Sequence, residues 1–140
     1  MKFRISAIFL FLSVLTALHS CDAADSVEYF VPSRDAQDGI YAFNLEMTDS
    51  LTAYDVSFYT RVDADKSDWL CLDVLWRSPS GKTFSETVYM KSGGSRGAME
   101  PYRRGLQPVE QGSWKLEIKP VDPPRGLRGM GVVCKNNGSR

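Results

Sequence analysis

Tyr41-Ala42-Phe43-Asn44-Leu45-Glu46-Met47-Thr48, in a segment read as one strand from Gly39 to Thr48, alternates without a break between large apolar residues and small or polar ones. A period of two puts Tyr41, Phe43, Leu45 and Met47 on one side of an extended chain and Ala42, Asn44, Glu46 and Thr48 on the other. A strand with one apolar side has to bury it against a second layer. Outward from this stretch the same pattern recurs. Asp49-Ser50 reads as a turn, and Tyr54 to Val62 resumes with Tyr54, Val56, Phe58, Thr60 and Val62 inward and Asp55, Ser57, Tyr59 and Arg61 outward. Trp69 to Arg77 is the most apolar segment, with Leu70, Leu72, Val74 and Trp76 on one side. Ser78-Pro79-Ser80-Gly81 carries proline second and glycine fourth, a strong turn signal, and Lys82 to Met90 continues as a strand.

Gly112 to Val121 puts Trp114, Leu116 and Ile118 on one side and is ended by Pro120 and Pro123-Pro124. Met130 to Lys135 reads as the last strand, and Val27 to Val31, stopped by Pro32, as the first. Ser92 to Gly97 holds three glycines and reads as a loop, and Tyr102 to Gln111 as irregular. No run of a dozen residues has helical periodicity. Seven or eight short strands joined by Gly, Pro and Asp turns predict an all-β fold, an antiparallel sandwich of jelly-roll type. A barrel of the same strands is the runner-up.

The N-terminus has a different character. Lys2 and Arg4 precede an almost unbroken apolar run from Ile5 to Leu18, the layout of a secretory leader too short to span a bilayer comfortably. Leu18-His19-Ser20-Cys21 resembles the cleavage box of a bacterial lipoprotein leader. The resemblance implies a diacylglyceryl group on Cys21, cleavage before it and acylation of the new N-terminus. Several acyl chains anchor stably where one is marginal. The expected organisation is a leader over 1–20, a lipidated tether over 21–26, one sandwich domain over 27–136 and a polar tail over 137–140. The expected location is the cell envelope, the outer membrane ahead of the inner, with the face open. An ordinary secreted chain with a stray cysteine is the competing reading.

Two bases and no acid leave with that leader, so the formal charge moves from 0 to −2, and the sole histidine, His19, leaves too. Cys21 to Asp73 carries 12 acids and 3 bases; Lys91 to Arg140 carries 4 acids and 10 bases. Two halves that pair across a sheet neutralise each other this way, so no nucleic-acid partner is expected. Without histidine there is no Ser-His-Asp or Cys-His catalysis and no His-ligated zinc. No pair of carboxylates stands out for glycoside hydrolysis. The expectation is a chain without catalytic residues, metal or cofactor. Asp63-Ala64-Asp65-Lys66-Ser67-Asp68 has oxygens at alternate places but Asp68 where a calcium loop needs glycine and Val74 where it needs glutamate, so a solvated turn is expected.

Cys71 and Cys134 leave two alternatives open, a bridge closing a long loop or two free thiols in strands. The candidates for contact with a partner or ligand are Trp69, Arg96, Tyr102, Arg103 and Arg104. Trp69 lies opposite in parity to Leu70 and Leu72 at a loop edge, so it is the exposed tryptophan, whereas Trp76 and Trp114 share the core faces of their strands. Arg103-Arg104 beside Tyr102, with Arg96 nearby, offers guanidinium groups to an anionic sugar or an acidic protein patch; a solvated loop is the plainer account.

Taken in order, several short features resemble the gliding-motility-associated lipoprotein family of Bacteroidetes (GldH-type). They are Cys21-Asp22, Thr48-Asp49-Ser50, Tyr54-Asp55-Val56 with Arg61, the Trp69 strand, Ser78-Pro79-Ser80-Gly81-Lys82, Glu86-Thr87, Tyr102-Arg103-Arg104-Gly105, Gly112-Ser113-Trp114-Lys115-Leu116-Glu117-Ile118 and Gly126-Leu127-Arg128-Gly129-Met130-Gly131-Val132. The resemblance spans nearly the whole mature chain. It departs at Ser92 to Gly97, shortened here, and at Lys119-Pro120-Val121-Asp122. It implies an accessory lipoprotein of the envelope motility or secretion machinery, working through protein partners and without catalytic residues. Asp25-Ser26-Val27 and Asp49-Ser50-Leu51 also resemble the O-glycosylation sequon of that phylum. The alternative function is a surface carbohydrate-binding module using Trp69 and neighbouring tyrosines.

Overall fold

The computed structural model describes residues 25–49, 51–63, 68–93 and 99–138. The leader, Cys21 and Asp22, Ser50, most of the Asp63–Asp68 loop and Arg96 lie outside these residues. Eight strands follow one another: β1 Ser26–Pro32, β2 Tyr41–Met47, β3 Tyr54–Val62, β4 Trp69–Arg77, β5 Thr83–Lys91, β6 Glu100–Leu106, β7 Gly112–Pro120 and β8 Leu127–Asn136. They form two antiparallel four-stranded sheets, ordered β1-β8-β3-β6 and β2-β7-β4-β5. Only β4 and β5 are both consecutive and paired, and this strand order is that of a jelly roll.

The alternation read from the sequence sets the core. Tyr41, Phe43, Leu45 and Met47 face inward from β2, Val56 and Phe58 from β3, Leu70, Leu72, Val74 and Trp76 from β4, and Trp114, Leu116 and Ile118 from β7, all buried. Met130, Val132 and Cys134 close the layer from β8. Burying one such Leu, Ile or Val side chain stabilises the fold by about 1.5–3 kcal/mol.

Turns and stitches fix the register. In the β4–β5 turn the Gly81 amide donates to the Ser78 carbonyl at 2.9 Å and the Ser78 amide to the Lys82 carbonyl at 2.8 Å. Gly81 sits at φ +91°, a backbone state that side-chain-bearing residues rarely adopt. The Glu110 carboxylate accepts from the Ser80 hydroxyl at 2.8 Å and its amide at 3.0 Å, pinning this turn to the β6–β7 connection. At the other side of the sandwich Ser33, in a 3-10 turn over Ser33–Asp35, shares a hydrogen bond with the Tyr41 hydroxyl at 2.8 Å and donates to the Leu127 carbonyl at 2.7 Å.

Two sequence expectations need correction. Tyr102–Gln111 is not irregular throughout, because Glu100–Leu106 pairs with β3 as an edge strand with shifted register. Pro101, the two arginines and Gly105 hide its alternation. The last strand begins at Leu127, three residues before Met130. Of the two alternatives left open for the cysteines the structure takes the free thiols: Cys134 points into the core from one sheet, whereas Cys71 lies on the outer face of the other. The parity of each strand puts them on opposite sides of a layer, which no bridge can cross. Burial pushes the Cys134 thiol up to about 11.

On the outer face of the first sheet, Gly129 and Gly131 of β8 leave a trough. Phe30 of β1 pairs in register with Gly131, and Tyr59 of β3 does the same from the other side. The Phe30 and Tyr59 rings stack 6.1 Å apart over the trough, and Arg61 lies 4.4 Å above the Phe30 ring. Tyr59 donates its hydroxyl proton to Glu28. An outward-facing tyrosine is thereby buried, a device that replaces missing glycine side chains with neighbouring rings.

Candidate functional site

Strands β5 and β6 are edges of different sheets on the same side of the sandwich, and the two layers part between them. β4 and β7 bring Trp76 and Trp114 to this opening, where their rings meet edge to face at 6.2 Å and 77°. Tyr102 of β6 stacks on Phe58 at 4.3 Å and lies nearly parallel to Trp76 at 6.3 Å. Offset and edge-on arrangements of this kind suit the ring quadrupoles and hold the rings in place.

The inner side of β5 carries Phe84, Glu86, Val88 and Met90, so its parity delivers one acid to an otherwise apolar row. Trp76 Nε1 donates to the Tyr102 hydroxyl at 3.0 Å, and that hydroxyl donates in turn to Glu86. Arg103 Nη2 donates to both Glu86 oxygens, at 2.7 and 2.5 Å, while its guanidinium lies 4.8 Å from the centre of the Tyr102 ring. Burial, seconded by the bond to Glu86, pushes the Tyr102 phenol up to about 12.

Around this chain of hydrogen bonds lies a cleft of about 260 Å³, with Met47, Phe84, Leu106, Pro108 and Val109 completing its walls. Phe84 is 54% exposed and Val109 79% exposed, which is unusual for large apolar residues beside a core. Among the described residues no buried side-chain nitrogen or oxygen lacks a partner. The rim charges Glu86 and Arg103 are paired with each other, and the space left is mostly apolar in its lining. It fits one apolar side chain or one small ring better than a charged group.

Of the candidates read from the sequence, the structure brings Tyr102 and Arg103 together here. Arg104 points to the outer face of the first sheet, beside Asp55, whose carboxyl is held below its usual range chiefly by Asn137 and the Gly105 amide. Trp69 stands at the far end of β4 from Trp76, 67% exposed, with Lys91 5.5 Å from its ring. Tyr89, 70% exposed and hydrogen-bonded to Cys71, is its diagonal neighbour on the same outer face. Glu86, Phe84 and Val109 are not among the contact candidates legible in the sequence; the acid among the inward residues of β5 is the available signal. Among the described residues no three Cys, His, Asp or Glu side chains gather as a metal would need, and Asp63, which opens the segment expected as a solvated turn, is bound to Arg128 at 2.7 Å.

No protein-family model matches the chain, and no curated protein sequence matches it. Among solved structures it is similar to that of infectious bursal disease virus Gx strain, with 13% identity and a TM-score of 0.37 over 85% of this chain and 35% of that one. It is also similar to the Gt strain structure (17% identity, TM-score 0.34, 84% and 32% covered). A mutant VP2 protein of the same virus in derived T=1 particles gives 18% identity and a TM-score of 0.33, with 86% and 34% covered. The chain spans about a third of the length of each of these chains.

Proposed function

We propose that this chain is a non-catalytic lipoprotein of the cell envelope, anchored through lipid on Cys21, that serves a motility or secretion machinery by protein–protein contact. The contact surface in this reading is the cleft between β5 and β6, which receives an apolar side chain of the partner. The observation that carries it is the pairing of a small apolar cleft with exposed Phe84 and Val109 and a rim whose charges are already satisfied. An apolar anchor entering such a space leaves no charge unpaired, the arrangement found at the energetic centres of interfaces. The leader ending at Leu18-His19-Ser20-Cys21 supports the anchoring half.

The two halves separate in one experiment. Cells fed labelled palmitate should label the full chain and not Cys21→Ala. A photo-crosslinker at Val109 should capture one discrete envelope protein, and Phe84→Asp should abolish that capture while the domain stays folded. Label on Cys21→Ala would refute the anchor, and capture unaffected by Phe84→Asp would refute the cleft.

A second reading, a carbohydrate-binding surface, is favoured by one observation: Trp69 and Tyr89 are exposed as diagonal neighbours on the outer face of β4 and β5. Sugar rings stack on such faces. Binding on a glycan array that survives Trp69→Ala would remove it.

A further inference from the structure

Each sheet of a sandwich ends in edge strands whose outer backbone groups have no strand beside them. Among the described strands three of the four edges are blunted. β6 contains Pro101, Gly105 and two arginines and pairs irregularly even with β3; β1 ends in Pro32 and the 3-10 turn; β2 is seven residues long and tied across to Ser33. β5 is different. It runs nine residues, Thr83-Phe84-Ser85-Glu86-Thr87-Val88-Tyr89-Met90-Lys91, with no proline or glycine. It is rich in β-branched and aromatic residues, and its pairing with β4 is unbroken from end to end. Its charges are Glu86 and Lys91, and Glu86 is held by Arg103 of the same chain.

We propose that β5 pairs antiparallel with β5 of a second copy, about a twofold axis through Thr87. The choice of occupant comes from reading the strand against itself. In that register Thr87 meets Thr87, Glu86 meets Val88, Ser85 meets Tyr89, Phe84 meets Met90 and Thr83 meets Lys91. Thr87 is the midpoint of Thr83–Lys91, so all nine residues find a partner. Inward residues oppose inward ones, and neither charge faces its like. Shifting by one residue sets the inner row against the outer one. Moving the axis to Glu86 puts two carboxylates face to face, which is destabilising. Threonine opposite threonine is a favourable cross-strand pair. The result is an isologous dimer, the commonest form of association, with one eight-stranded sheet running through both copies. The pairing uses the strand's edge and does not rest on the cleft as a partner site.

Thr87 is exposed on the outer face, where its hydroxyl donates to Asp73 at 2.9 Å, so it can be changed without touching the core. The test is sedimentation equilibrium of the full-length chain in density-matched detergent, with circular dichroism to check the fold. The wild-type chain should be dimeric. Thr87→Lys and Thr87→Glu each place like charges across the axis and should weaken association about tenfold or more. An equimolar mixture of the two should regain the dimer, since lysine then faces glutamate. A wild-type monomer at concentrations on the order of 100 μM, far above typical working affinities, overturns the proposal. So does a dimer untouched by Thr87→Lys, or a mixture that stays monomeric.

Discussion

Gly131→Ala makes a sharp test of how the outer face of the first sheet is built. A Cβ at Gly131 would stand 2.5 Å from the Tyr59 hydroxyl oxygen and closer still to the ring carbons Cζ and Cε1. Real carbon contacts are ~3.5–4.0 Å, so the Tyr59 ring has to lift by more than an ångström. Lifting it breaks the hydrogen bond to Glu28 and disturbs the stack on Phe30, on which Arg61 in turn rests. Overpacking of this sort costs about 1–3 kcal/mol and the lost hydrogen bond about 1 kcal/mol. Against this, alanine in a strand interior is worth about 0.5–1 kcal/mol over glycine. The expected net loss is about 2–3 kcal/mol, which moves a urea midpoint down by about 1–2 M. The Tyr59→Val background decides the cause. With the ring gone, Gly131→Ala should be neutral or stabilising by about 0.5 kcal/mol, giving a coupling of about 3 kcal/mol between the two positions. An equal cost in both backgrounds would mean that the ring is not what the glycine accommodates, and the reasoning would fail.

Gly129→Ala should behave differently: its Cβ would meet the Val31 carbonyl oxygen at 2.6 Å as well as the Phe30 ring, so Phe30→Ala should not rescue it in the same urea titrations. Tyr59 and Tyr102, both pushed up to about 12 against 10 unfolded, keep their protons longer in the folded chain, and Cys134 acts in the same direction. Thermal melts should therefore hold steady to about pH 8 and fall between about pH 9 and 12, where the unfolded chain has lost protons that the folded one retains, and Tyr102→Phe should make that fall shallower. Melts should be identical with and without reductant, since no bridge joins Cys71 and Cys134. Iodoacetamide should alkylate Cys71 in the native chain and Cys134 only after denaturant is added, as peptide mass mapping would show.

Where strands obeyed a strict period of two, the fold was legible. β3 falls on the residues its alternation predicts, Tyr54–Val62, because its two sides differ in polarity, whereas β4, Trp69–Arg77, is marked as the most apolar segment even though Cys71 and Leu75 on its outer side blur the alternation. The signal fails where side chains stop reporting. In β8 the outward positions Gly129 and Gly131 have no side chain, so the strand seemed to begin at Met130. In β6 the edge position tolerates Pro101 and adjacent arginines, which a central strand would not. Tyr59 was read correctly as outward, yet its burial depends on Phe30, which pairs across β8 and lies 29 residues away in the chain. The cleft was half legible for the same reason. Tyr102 and Arg103 were visible as an aromatic beside a base, but their partner Glu86 comes from the opposite sheet, and only the topology brings the two edges together.

The position of β8 between β1 and β3 has a consequence for how the molecule is made. The backbones of those two neighbours pair only with the last ten-residue strand, Leu127–Asn136, and not with each other. A ribosome delivers that strand last. Until it emerges, the first sheet lacks its middle, and the trough that receives Phe30 and Tyr59 does not exist. Such high contact order makes folding slow and late. A nascent chain of this design cannot close its first sheet until β8 is available, so the fold is completed only once all eight strands have been made.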